Sequence, residues 1–395
     1  MIRKLNVSGF KSLILDNPIE LGRLNCFIGA NGVGKSNILE AIGVLGAAAN
    51  GSVDAESLLR RGVRAGVAGL YKSSFKSERA PAHISLEAIG AEQEYYRVSL
   101  LNPIKSPDPA WSFKTEYLSD GYNDIISQGV RGKKTLNPKL GLAALKLVEL
   151  EETNFATLLM QALQNYAIYT PNTPSLRGIA PDQQSRSPMG LNGGLLAEAF
   201  DALKKQLSNQ NNGEDILNEI KSLIDWVDDI SITAQASALL SSSVPRMKHV
   251  LKFTDKYMMT SRNELTAYDA SEGALYIIFT ACLCLLNSSP RCFAIDNLDQ
   301  ALNPRLLTVL IKCLPDWLRT SAKNKQLLFT AHNPAVLDGL NLEDPEVRLF
   351  TVDRNSNGLT RVRRIELTEK VRKLNSEYPL SRLWMMGSLG AVPNV

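Results

Sequence analysis

The chain has little of what builds metal centres or cross-linked scaffolds: five cysteines and three histidines in 395 residues. Cys26, Cys282, Cys284, Cys292 and Cys313 all sit in apolar segments. None stands at metal-ligand spacing from His83, His249 or His332, so they read as reduced core residues, not as a zinc site or a disulfide framework. No apolar run reaches the length of a membrane span; the longest, Ala274 to Leu286, is short and is broken by Thr280. Met1-Ile2-Arg3-Lys4-Leu5 leads straight into a strand pattern with no signal-peptide core, which points to the cytoplasm and no membrane partner. There is no internal repeat and no long low-complexity tract. Net charge is only +4, too mild to identify a nucleic-acid partner. Its distribution is uneven. Arg60, Arg61, Arg64, Lys72, Lys76 and Arg79 form one group, Arg131, Lys133, Lys134 and Lys139 a second, and Arg361, Arg363, Arg364, Lys370, Arg372 and Lys373 a third. Each could touch phosphates, as DNA contact would require, although solvated surface is the commoner reason for such groups.

What is present is more specific. Gly29-Ala30-Asn31-Gly32-Val33-Gly34-Lys35-Ser36 fits the phosphate-cradling pattern G-x-x-x-x-G-K-[ST]. The required context is there: Leu24 to Ile28 reads as a buried strand, and Ile38, Ala41, Ile42 and Leu45 give Asn37–Ala49 a helical period. Glycines let backbone N–H groups curl around a phosphate, and the helix start adds a positive dipole end. Lys35 would then reach the outer phosphates of a nucleotide, and the Ser36 hydroxyl would hold Mg²⁺.

Further along, Ile84–Ile89 and Tyr95–Leu101 read as a strand pair, and residues 139–166 turn helical. Ala167-Ile168-Tyr169 is a short strand, and prolines and glycines between Pro171 and Gly194 exclude a long regular element. Amphipathic helices are expected at Leu196–Leu207 and Ile216–Val227. Strands resume at Val250–Phe253 and Leu265–Tyr268, with strong buried strands at Arg291–Ile295 and Gln326–Thr330. Asn357-Gly358 marks a hairpin between Val347–Val352 and Thr360–Ile365.

Three features follow the phosphate loop. Asp296 leaves an apolar strand, where phosphate-loop enzymes place a second Mg²⁺-organising group. His332 leaves another, where a neutral imidazole could bond a terminal phosphate or merely satisfy a turn. Ser271-Glu272-Gly273 opens the apolar helix Ala274–Leu286, and a serine cap there leaves N–H groups free for an anion.

In this order these residues resemble the ATP-binding-cassette ATPases of the chromosome-maintenance and recombination-repair type. The nearest branch is that of the overcoming-lysogenization-defect-like AAA ATPases of bacterial anti-phage defence. The likeness begins at Leu5 to Ser12, with its Phe10-Lys11-Ser12, and continues through Gly34-Lys35-Ser36-Asn37. It also takes in Ala270 to Gly273, Asp296, His332 and the ending Leu380 to Val395. It implies a mixed α/β fold of the ATP-binding-cassette head type, with an antiparallel lobe. The ATPase halves would occupy residues 1–149 and 246–366, a helical insertion 150–245, and a helical tail 367–395.

The resemblance implies ATP and Mg²⁺ as ligands. Asn31, Gly32, Val33, Gly34, Lys35, Ser36 and Asn37 would bind the nucleotide, with Ser36 and Asp296 on the metal. A homodimer or larger homo-oligomer would sandwich two ATPs, Ser271 and Gly273 coming from the neighbouring copy. Asp296, Asn297, Asp299 and His332 make up the expected catalytic set. One departure stands out: the family's glutamate after the Mg²⁺ aspartate is Asn297 here, which cannot accept a proton. Asp299 is the candidate stand-in, and slow hydrolysis is expected. A nuclease domain of the topoisomerase-primase or HNH type is not legible in the chain, so any cutting falls to a separate effector protein. The leading expectation is the ATPase subunit of a two-component anti-phage system. The alternative is a DNA-repair clamp without an effector. A transporter subunit fits poorly, because the segment at Ser271 lacks that group's glycine pair and glutamine.

Overall fold

The computed structural model describes residues 1–76, 80–128, 137–182, 184, 186–234, 239–241, 244, 248–321 and 324–390. Arg79, Arg131, Lys133 and Lys134 of the basic groups, and the last residues of the expected tail, lie outside the described residues.

The chain opens with β1 (Lys4–Phe10), β2 (Leu13–Ile14), β3 (Ile19–Glu20) and β4 (Leu24–Ile28), then α1 (Lys35–Ala49). Short helices α2 (Ala55–Leu59) and α3 (Ala68–Tyr71) lead to β5 (Ile84–Ile89), β6 (Tyr95–Leu101), β7 (Ser112–Ser119) and β8 (Asp124–Gln128). Next come α4 (Ala143–Lys146), α5 (Phe155–Gln164), β9 (Ile168–Tyr169), α6 (Thr173–Leu176), α7 (Leu196–Leu207) and α8 (Gly213–Ser222). Then β10 (Val227–Thr233), β11 (Val250–Asp255) and β12 (Glu264–Thr266) precede α9 (Glu272–Leu285). The last elements are β13 (Cys292–Ile295), α10 (Pro304–Thr320), β14 (Gln326–Ala331), β15 (Val347–Arg354), β16 (Thr360–Ile365), α11 (Glu369–Glu377) and α12 (Leu380–Met385).

One sheet runs β16-β15-β4-β14-β13-β9, parallel throughout except for the β15–β16 hairpin. A second, antiparallel sheet runs β2-β1-β5-β6-β7-β8 with β3 beside β1, and a third is β10-β11-β12. Burial on both faces explains why β4, β13 and β14 are apolar without alternation. The two faces feed different cores. Leu24, Cys26 and Ile28 point into one with α7, α8, α9 and α10; Phe27 points into the other with α1 and the antiparallel sheet. That is the period-2 alternation of a strand.

The segment expected as a helical insertion, residues 150–245, contributes to both cores. Met160 and Leu163 of α5 pack in the core of α1, whereas Phe200, Leu203 and Leu207 of α7 join that of α9. β9 adds an edge strand to the parallel sheet. The reason is physical: α9 is apolar all round and needs cover on every side, so the amphipathic helices cannot leave it. The helix expected at Ile216–Val227 stops at Ser222. Its spacing of Ile216, Ile220, Leu223, Ile224 and Val227 imitates a helical face, but pairing with β11 draws Val227 into a strand. The helical stretch at 139–166 likewise breaks before Asn154, which caps α5 by accepting from Ala156 N–H at 2.9 Å.

Candidate functional site

The carboxyl ends of β4, β14 and β13 lie side by side, and each carries a residue singled out in the sequence. Ligands of open parallel sheets gather at that edge. After β4 the loop turns through Gly32 at φ 76° and Gly34 at φ 109°, and α1 begins at Lys35. Gly34 cannot be larger: a Cβ there would lie 2.2 Å from Thr360 Oγ1. A Cβ on Gly32 would meet nothing within 4 Å, so the loop is open where a phosphate would enter.

Lys35 is buried, and its ammonium donates to the carbonyls of Gly29 at 2.8 Å and Ala30 at 2.9 Å. It forms no ion pair among the described residues. Burial lowers its pKa to about 8, against the opposing pull of Asp296 and Asp299. A buried ammonium with only neutral partners is an incomplete charge arrangement that phosphate oxygens would complete.

Ser36 Oγ donates to Asp296 Oδ1 at 3.1 Å, and Thr330 Oγ1 donates to the same oxygen. A hydroxyl and a carboxylate converging here suit Mg²⁺, which takes few protein oxygens and fills its shell with water and phosphate. No cluster of three or more His, Cys, Asp or Glu ligands occurs among the described residues. Ser36 and Asp296 would hold the ion, which when bound would neutralise charge on the phosphates.

His332 Nδ1 lies 3.4 Å from Lys35 Nζ, and its backbone N–H donates to Asp299 Oδ2 at 2.8 Å. Burial first, then the charge of Lys35, lowers its pKa, which favours the neutral ring. Nδ1 then accepts from the ammonium and the Nε2–H is left as a donor. Asn297 is exposed and left-handed at φ 57°, with its N–H on Thr330 Oγ1 at 2.8 Å. Asp299 Oδ2 also accepts from Asn333 N–H at 2.6 Å, so this carboxylate is tied to the turn after β14.

The structure thus gathers Lys35, Ser36, Asp296, Asp299 and His332. Asn31 is exposed at the loop tip. Asn37 faces away: its amide donates to Ser12 Oγ at 2.9 Å and its oxygen accepts from Arg64 at 3.0 Å. Ser271 and Gly273 stand elsewhere, at the start of α9. Ser271 caps that helix by accepting from Ala274 N–H at 3.4 Å, and Gly273 faces Ala301 and Leu302. Both Ser271 and Glu272 are exposed.

Three residues were not foreseen. Thr330 joins Asp296 to Asn297, and a fully buried polar residue in an apolar strand was its one visible signal. Thr360 Oγ1 donates to Val33 O at 2.6 Å and lies 2.6 Å from Ser12 Oγ, so the β15–β16 hairpin braces the loop from outside. Glu40 of α1 is buried between Lys11 and Arg64. Against the upward push of burial, their hydrogen bonds hold its carboxyl below the ordinary range. The third basic group is largely paired within the chain: Arg361 and Arg363 with Asp353, Arg364 with Glu20 and Glu366, and Arg372 with Glu343.

Residues 24–159 and 165–338 match a protein family described as "AAA domain, putative AbiEii toxin, Type IV TA system". Among solved structures the chain is similar to an Smc head bound to the C-winged helix domain of ScpA. Identity is 14% and the TM-score 0.56, over 94% of this chain and 99% of that one. An Smc head from Pyrococcus furiosus, with an extended coiled coil and bound to the C-terminal domain of ScpA, is 13% identical with a TM-score of 0.54, over 95% and 98%. One from Pyrococcus yayanosii, with a coiled coil and joint, is 12% identical with a TM-score of 0.51, over 95% and 99%. No curated protein matches. The mixed α/β fold expected from the sequence is therefore the fold found, that of ATP-binding-cassette heads of the Smc type.

Proposed function

The chain belongs to this AAA-domain family and is an ATPase of that kind, and we propose that it works as a slowly hydrolysing, ATP-assembled pair in anti-phage defence. The observation that carries the reading is the convergence of Lys35, Ser36, Asp296 and His332 at one sheet edge. In this proposal the Lys35 loop holds the β/γ-phosphates of ATP, with Mg²⁺ on Ser36 and Asp296, and His332 donates its Nε2–H to the terminal phosphate. The same chain's Ser271 lies outside this cluster, on an exposed helix cap, which favours its use by a second copy. ATP at 100 times its dissociation constant would favour the assembled state by about 2.7 kcal/mol.

Asn297 supports slow turnover, because an amide cannot take the proton of the attacking water. A long-lived ATP-bound pair suits a sensor or scaffold that holds a separate effector, probing for infection rather than spending ATP continuously. The family's description, naming a toxin of a type IV toxin–antitoxin system, favours defence over repair. Pairing of the third basic group within the chain also leaves it less available to DNA. The test is to purify the chain with its genomic neighbours and measure turnover with and without duplex DNA. Turnover below one per second, with a neighbour's product retained in an ATP-dependent complex, is expected. Strong stimulation by DNA and no retained partner would favour the repair clamp instead.

A further inference from the structure

The parallel ladder between β13 and β14 ends at Ile295 and Phe329. Beyond it the two chains leave the sheet toward the phosphates, and side chains replace the ladder. Asn297 N–H donates to Thr330 Oγ1 and Leu298 N–H to Thr330 O at 3.1 Å. The last stitches are those of Asp299, whose Oδ2 accepts the consecutive N–H groups of His332 and Asn333. Asn333 in turn accepts from Ala335 N–H at 3.0 Å, fixing the start of the next turn.

Resting on the ATPase reading above, we propose that Asp299 is a positioning residue for His332, not the proton acceptor that replaces the missing glutamate. Because Oδ2 receives both amide N–H groups, the carboxylate is anchored to the backbone of the turn after β14, and that turn sets its orientation. What the arrangement does is fix the height and direction of the His332 backbone, and so of the imidazole beside Lys35. Asparagine can accept the same two N–H groups through its own oxygen but cannot act as a base. Alanine can do neither.

The experiment compares Asp299→Asn and Asp299→Ala in the full chain by ATP turnover, ATP affinity and the imidazole signals of isotope-labelled histidine. Only three histidines are present, so His332 is assignable by His332→Gln. A positioning role predicts that Asp299→Asn keeps kcat within about threefold while Asp299→Ala loses about 10²-fold, the cost of a misplaced group. The His332 signal moves in the alanine variant only, and ATP affinity holds in both. Equal loss of kcat in both variants would mean a general base, and retention in both, or an unmoved His332 signal in Asp299→Ala, would mean no role; each overturns the proposal. The histidine spectrum needs no turnover, so it still decides the role of Asp299 should the ATPase reading itself fail.

Discussion

Ser36, at the first turn of α1, donates a hydrogen bond to Asp296 at 3.1 Å across a sequence separation of 260 residues. The contact exists because β4 and β13 both flank β14, so their exits open on one crevice. It gives the phosphate loop its second oxygen donor, and the predictions below depend on it.

Lys35 makes nucleotide binding sensitive to alkaline pH. Its ordinary pKa of 10.5 is lowered to about 8 in the folded chain, so between those values the folded site loses a proton the unfolded chain keeps. Stability without ligand rises with pH across that interval, while binding, which needs the ammonium, weakens. ATP affinity should fall about fivefold from pH 8 to pH 9, in proportion to the charged fraction. Titration of a fluorescent ATP analogue checks this; a flat profile contradicts it.

Asn297→Glu should raise turnover by about tenfold or more by restoring a proton acceptor. The same change should lower stability by about 1 kcal/mol, because Asn297 is left-handed at φ 57° and glutamate tolerates that region poorly. Steady-state hydrolysis and thermal unfolding measure the two effects, which carry opposite signs for function and stability.

Thr330→Val keeps the shape of a fully buried side chain but removes the hydroxyl that serves Asp296 and Asn297. A loss of about 1–3 kcal/mol is expected from the unsatisfied N–H of Asn297. Mg²⁺-dependent ATP affinity should fall with it, since one of the groups orienting Asp296 is gone. Denaturant unfolding and Mg²⁺ titration in the presence of ATP separate the two.

Much of this site is legible in the sequence because its chemistry is local. The turn at Gly29–Ser36 needs glycines at Gly32 and Gly34, and Asp296 and His332 stand out as polar residues ending apolar strands. What brings Thr360 and Ser12 to Val33 is the sheet order, which sets β15 beside β4 and is not written in any local pattern. The two hydrogen bonds of Asp299 were hidden for the same reason: their donors follow a different strand. How α7 and α8 pack is not written in their own pattern, because amphipathic helices look alike wherever they sit, and it is the all-round apolar α9 that draws them into one core.

The central claim, that Lys35 of one copy and Ser271 of another serve one nucleotide, is tested most directly by mixing two disabled variants. Lys35→Ala and Ser271→Arg alone should each fail to form the ATP-dependent pair and to turn over ATP. Mixed in equal amounts, they should recover both, with about a quarter of the sites intact under random pairing. Two folded variants that remain inactive together would contradict the shared site.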